Sequence, residues 1–427
     1  MATERYVLLG LASARASWFS AVSRWVSSAS LAAEFIKCVT PEEVRANLVS
    51  GRAYSALLVD ASMPAFDRDL VARARSAATP VIAVADRQTP ATTAQNLGVA
   101  AVLPGDFGRE QLLDVLEANA RPVGNADRLP PTLSSDTIAP WRGTLIAVLG
   151  PGGTGTSTMA IAAAQAAAAD LRYSKRVLLA DLALRADQAM LHDTGELGPG
   201  VQELVDAHRT AQPGATAVAA ITFDVPGRGY RLLLGLRRPS GWTALRPHSF
   251  DAALEGLRGA FQLVVADLTG DLEGEAECGS VDVEERNHMA RQTVQTADAV
   301  VAVGAPGVKG IHSLTYLLRS ALAGGVSSSR LIPVINRSPK NPRSRAEAGA
   351  ALAKLVGQPM AVANPVAVPE RRLEPAIRDG SPLPSAVVGP IGVAIRSVLD
   401  RLADSPPAHP APTPVNPGFL GARRTSI

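Results

Sequence analysis

Apolar residues along this chain fall into short continuous runs, and the runs are separated by stretches in which apolar and polar positions recur with helical spacing. In the first part, YVLLGL, AEFIKCV, YSALLVD, TPVIAVAD and AAVLP are the continuous runs, the pattern of strands buried on both faces. Between them lie segments such as PEEVRANLVSG, with Pro41 placed for a first helical turn. Strands alternating with helix-length segments predict βαβ units and a parallel sheet. A second series begins at Leu145 with LIAVLG and continues through VLLAD, YRLLLGL, FQLVVADL, AVVAVGA and LIPVINR. IHSLTYLLRSAL and IGVAIRSVLDRLA read as helices of that second series.

The punctuation places the boundaries. Residues 123–142 are rich in Pro, Ser, Asp and Asn without a sustained period, which predicts a linker. From Ser405 onward Pro, Ala and Ser dominate, which predicts a disordered tail over 405–427. The fold class expected is therefore α/β, with two doubly wound parallel-sheet domains over 1–122 and 143–404.

Composition narrows the function. The 427 residues are 47% hydrophobic and 19% charged, the balance of a globular chain. A formal net charge of +3 argues against wholesale nucleic-acid binding, so DNA is the minority reading and would have to use the local basic loop at Arg337, Lys340, Arg343 and Arg345. Cys38 and Cys278 stand far apart without metal or disulfide spacing, which fits a reducing cytoplasm. Arg5 and YVLLGLASA could pass for a secretory leader, but Glu4 and the shortness of the run favour a first strand. No apolar run is long enough to predict a membrane span. The six histidines lack metal-ligand spacing.

The chemistry centres on G-P-G-G-T-G-T-S-T, Gly150 to Thr158, between a predicted strand and a predicted helix. Such a turn aims several backbone N–H groups at one point, and the helix dipole adds positive charge there. Gly150, Gly152, Gly153, Thr154, Gly155, Thr156, Ser157 and Thr158 are thus candidate phosphate-binding residues. Gly150, Gly155 and Ser157 fit the spacing G-x-x-x-x-G-K-[ST], but Thr156 stands where the lysine belongs.

The second half resembles the ParA/MinD class of P-loop ATPases. The loop of that class opens with an additional lysine, and Pro151 stands there. RVLLADLALRADQ resembles its segment carrying Asp-x-Asp; Asp181 is kept, and Ala183 replaces the water-positioning carboxylate. FQLVVADLTGD resembles the Walker B strand. The resemblance implies Mg²⁺ associated with Ser157, Asp181 and Asp267. LIPVINRSPKN and VAVPERRLEPAIRDGSPL resemble the base-recognising strand and the Pro-containing loop that closes over the base, implying adenine contacts from Asn336 and Pro369. ATP or ADP with Mg²⁺ is the cofactor so implied, bound weakly: losing a charge-assisted hydrogen bond of about 1.5–3 kcal/mol costs roughly 10- to 100-fold in affinity. Hydrolysis is expected to be weak or absent.

The first half resembles response-regulator receivers through D-A-S-M-P at Asp60 and GVAAVLPGDF near the fifth strand. That likeness makes Asp60 the phosphoacceptor position. Gly10 and Leu11 replace the metal-holding carboxylates, Ala85 the hydroxyl and Gly105 the lysine, so the expectation is an atypical receiver in which Asp60 caps a turn. A receiver-like domain before a ParA/MinD-like one with eroded lysines resembles the TadZ/CpaE family. This implies a dimeric cytoplasmic positioning protein, recruited to a pole or septum, whose partners are pilus secretion or division-site proteins. An active ATPase using a cation from Arg185 or from a partner chain, or a two-component-type regulator, is the alternative.

Overall fold

The computed structural model describes the chain except for residues 1–4, 14–15, 86–90, 124–140, 174–175, 358–362 and 404–427. The expected tail, and the expected linker apart from Val123, Trp141 and Arg142, lie outside the described residues.

The N-terminal part contains strands β1 (Tyr6–Leu11), β2 (Ala33–Cys38), β3 (Ala56–Asp60), β4 (Val81–Ala85) and β5 (Ala101–Pro104). They alternate with α1 (Ser17–Ser27), α2 (Pro41–Val49), α3 (Arg68–Ser76), α4 (Ala91–Asn96) and α5 (Arg109–Asn119). The sheet order is β2-β1-β3-β4-β5 with every pairing parallel. Helices cover both faces, because successive side chains of a strand point to opposite sides: Leu57 and Val59 pack with α2 and α3, whereas Leu58 packs with α1 and α5. Local signals start the helices. Thr40 accepts from the Glu43 N–H at the head of α2, and Asp67 accepts from the Leu70 N–H at the head of α3.

The C-terminal part forms an eight-stranded sheet from β6 (Thr144–Gly150), β7 (Val177–Asp181), β8 (Phe223–Val225), β9 (Tyr230–Leu233), β10 (Leu263–Thr269), β11 (Ala299–Gly304), β12 (Leu331–Ser338) and β13 (Val366–Pro369). Its order is β13-β12-β11-β6-β10-β7-β9-β8. Two features depart from the sequence expectation. The three-residue β8 pairs antiparallel with β9, so the sheet is parallel except at one edge. Pro369, expected in a loop, ends strand β13 opposite Ser338, an edge position where its missing N–H leaves no ladder bond unmade.

The helices of this part are α6 (Thr156–Ala168), α7 (Gln188–Leu191), α8 (Val201–Thr210), α9 (Ala215–Ala220), α10 (Pro247–Ala260), α11 (Glu275–Cys278), α12 (Val281–Thr296), α13 (Val308–Ala323), α14 (Pro342–Val356), α15 (Glu374–Arg378) and α16 (Ser385–Ala403). Along β6, Leu145, Ala147 and Leu149 face the layer that includes α8, α10, α12 and α13, while Ile146 and Val148 face α6 and α16. The alanines of α6 are what permit this second layer to pack closely. A Cβ on Gly392 of α16 would lie 2.9 Å from the Ala166 methyl, so the two helices approach over small residues. Helix α16 begins at Ser385, earlier than the apolar periodicity indicated, and runs through Pro390. Among the described residues no helix is long and apolar enough to cross a membrane.

Candidate functional site

The glycine-rich loop leaves β6 at Gly150 and enters α6 at Thr156. Gly153 and Gly155 have φ of 80° and 85°, the left-handed region that side-chain-bearing residues avoid. At Gly155 a Cβ would also collide with the Asn336 amide. Gly152 and Gly153 are exposed, and added Cβ atoms there would meet nothing within 4 Å. No side chain caps the N-terminus of α6. A bare, dipole-bearing helix start therefore faces open space across glycine backbone, the arrangement that accepts an anion.

Thr156, in the lysine's place, turns its hydroxyl inward. It lies 3.1 Å from the Thr154 hydroxyl, which itself donates to the Pro151 carbonyl at 2.7 Å. A Cβ on Gly150 would strike both the Thr156 hydroxyl and the Val303 carbonyl. The loop thus closes on itself by hydroxyl contacts. Asn336, 8% exposed, donates from Nδ2 to the Thr154 carbonyl at 2.8 Å, while its Oδ1 accepts from the Arg337 N–H. Its amide is engaged on the loop.

Two carboxylates lie beneath. Asp181 ends β7 and pairs in register with Asp267 of β10; they are 0% and 1% exposed. Burial raises the carboxyl of Asp267 to about 6. The Ser157 side chain lies beside Asp267 and, against that rise, holds its carboxyl down. Asp181 is pushed well above the ordinary carboxylate range, first by burial and then by the charge of Asp267. A buried acid pair beside a hydroxyl at a helix N-terminus is a donor set that fits Mg²⁺ held with a phosphate. Ser157 and Asp267 would hold it, and the cation would neutralise phosphate charge.

One residue ties these parts together, and sequence reasoning did not single it out. Gln188, fully buried at the start of α7, donates from Nε2 to Asp267 Oδ2 at 2.7 Å and to the Ser157 carbonyl at 3.1 Å. Its backbone N–H donates to Asp181 Oδ2 at 2.9 Å. Its Oε1 is buried without a partner among the described residues. The amide therefore supplies Asp267 with part of the hydrogen bonding that a hydrated cation would otherwise provide. An Asp-Gln step seven residues after Asp181 has no periodic signature, which is why only packing reveals it. Gln188→Leu keeps the volume and the backbone donor to Asp181 but strips Asp267 of its amide donor; it is expected to destabilise the protein by about 1–3 kcal/mol, read as a fall in the urea midpoint. An unchanged midpoint would make the bridge energetically idle.

Next in this network, His192 bridges the Gln188 carbonyl and the Tyr230 hydroxyl, 2.8 Å from each. Burial keeps its imidazole neutral, with the pKa lowered to about 4. Ala183 is buried, and Arg185 is exposed. Asp60 belongs to the other sheet, where its Oδ1 accepts from the Ser62 N–H at 3.0 Å and from the Ser62 hydroxyl at 2.7 Å. That is a carboxylate capping its own turn.

No protein-family model matches the chain, and no curated protein sequence does. Solved structures do. A ParA family ATPase from Chlorobium tepidum is 14% identical, with 62% of this chain and 100% of that one covered at a TM-score of 0.44. A Cyanothece McdA–ATP complex is 16% identical over 63% of this chain and 99% of that one, at 0.43. The septum site-determining protein MinD of Pyrococcus horikoshii, complexed with Mg-ADP, is 16% identical over 61% of this chain and 98% of that one, at 0.44.

Proposed function

We propose that this chain is a cytoplasmic positioning or scaffold protein of the TadZ/CpaE kind, in which an atypical receiver-like domain (1–122) precedes a ParA/MinD-like domain (143–404). The second domain binds ATP or ADP with Mg²⁺ weakly and turns it over slowly or not at all. The observation that carries this reading is the inward Thr156 hydroxyl in a loop whose backbone is otherwise shaped for phosphate. Amide dipoles can hold an anion there, but no side-chain cation within the loop offsets the charge that builds on a transferred phosphoryl group. Phosphate contacts would come from the amides of residues 150–158, cation contacts from Ser157 and Asp267 with Asp181 behind them, and adenine contacts from the neighbourhood of Asn336 and Pro369. The chain would act as a homodimer recruited to a pole or septum, where it positions pilus secretion or division-site proteins.

Calorimetry with ATP and ADP, with and without Mg²⁺, combined with a phosphate-release assay, tests this. Weak binding that disappears in Gly155→Val, with release no faster than the blank, is the expected result. Gly155→Val both forces valine into a left-handed conformation and strikes Asn336. The intact Ser157–Asp267 pair favours one second reading, an ATPase that borrows a cation from Arg185 or from a partner's arginine. Brisk Mg²⁺-dependent release that Gly155→Val abolishes would establish it and dismiss the scaffold.

A further inference from the structure

The N-terminal part meets the C-terminal part through α3, and the chemistry of that meeting is specific. Asp69, 5% exposed, lies in the first turn of α3. Its Oδ1 accepts from the His248 N–H at 3.0 Å and its Oδ2 accepts from the hydroxyl of Ser249, which is fully buried. Those two groups open α10, a 14-residue helix with no side-chain cap of its own. The adjacent residue, Arg68, sends its guanidinium to the other end of a different helix: Nε donates to the His208 carbonyl at 3.1 Å and Nη2 to the Ala211 carbonyl at 3.2 Å, where α8 ends. An acid therefore sits at a helix N-terminus and a base at a helix C-terminus, the two placements that helix dipoles favour. Each also fills backbone positions that a helix cannot satisfy internally.

The support behind the pair is stiff. Asp67, one residue earlier and also buried, caps α3 itself. From Asp60 to α3 the chain makes two successive tight turns, the Met63 N–H donating to the Asp60 carbonyl and the Phe66 N–H to the Met63 carbonyl, with Phe66 in the core. The segment after Asp60 thus leads rigidly into the contact.

We propose that Arg68 and Asp69 form an interdomain clamp which seats the N-terminal part on the ends of α8 and α10, so that the two sheets form one fixed body rather than two tethered ones. This inference is independent of whether nucleotide binds. It is tested by inserting a protease site within 124–140 of the full chain and cleaving the folded protein. The two pieces of the otherwise wild-type protein are expected to co-elute on size exclusion. In the Arg68→Ala/Asp69→Ala variant they are expected to associate at least tenfold more weakly. Hydrogen exchange on the uncut single variant Asp69→Ala reads the same bond directly, with protection at the His248 amide expected to fall at least tenfold. Separation of the wild-type pieces on cleavage overturns the clamp without reference to any variant, as does equal association in the double variant or unchanged protection at His248.

Discussion

Thr156→Lys is expected to tighten binding of Mg²⁺-ATP by roughly 10- to 100-fold, since an ammonium reaching the terminal phosphates adds a charge-assisted hydrogen bond of about 1.5–3 kcal/mol. The substitution also gives up the contact between the Thr156 and Thr154 hydroxyls, a neutral bond of about 1 kcal/mol, so the balance stays on the side of tighter binding. Turnover should rise less than affinity, because Ala183 still stands where the sequence resemblance to ParA/MinD ATPases would put a water-positioning carboxylate. Titration calorimetry of the variant against the parent decides the matter. Equal affinities would mean that position 156 does not face the phosphates, and the scaffold reading would lose its physical basis.

The second large effect is on stability against pH, where His192 and Asp267 pull in opposite directions. The imidazole of His192 is lowered from 6.5 to about 4, so between those values the unfolded chain binds the proton and the folded protein does not. Stability from this group is complete above pH 6.5 and is lost on acidification, to a total of about 3 kcal/mol. Asp267 is raised from 3.8 to about 6. There the folded protein holds the proton longer, and stability is lost as pH rises across that window. Urea midpoints measured from pH 4 to 7 should therefore diverge between two variants. His192→Gln, deprived of the acid-labile component, should grow less stable as pH rises relative to the parent. Asp267→Asn, deprived of the other component, should grow more stable. Parallel curves for both variants would show that neither group titrates as its burial dictates.

What could be read from residues alone follows a physical divide. Strands such as LIAVLG and FQLVVADL are apolar throughout because both faces are covered, and that signal is local, so the element order and α/β class were legible. The glycines between β6 and α6 were legible too, since a tight turn into a helix restricts residue type at fixed spacing. The β8–β9 pairing was missed because a three-residue strand carries no period. The segment holding Pro369 resembles a Pro-containing loop, yet the residue ends strand β13, because at the sheet edge a proline is admitted. Gln188 and the Arg68–Asp69 contacts depend on residues brought together from distant segments, and nothing in their own neighbourhoods advertises the meeting. Asn336 was expected to face a base; its position beside the loop was legible, but its hydrogen bond to Thr154 is a matter of fold rather than of motif.

The two margins of the eight-stranded sheet, β8 and β13, are three and four residues long. Strands so brief offer few free N–H and C=O groups for another chain to zip onto, and brevity of this kind is a common guard against ribbon-like stacking. Association of copies by extension of that sheet is accordingly disfavoured.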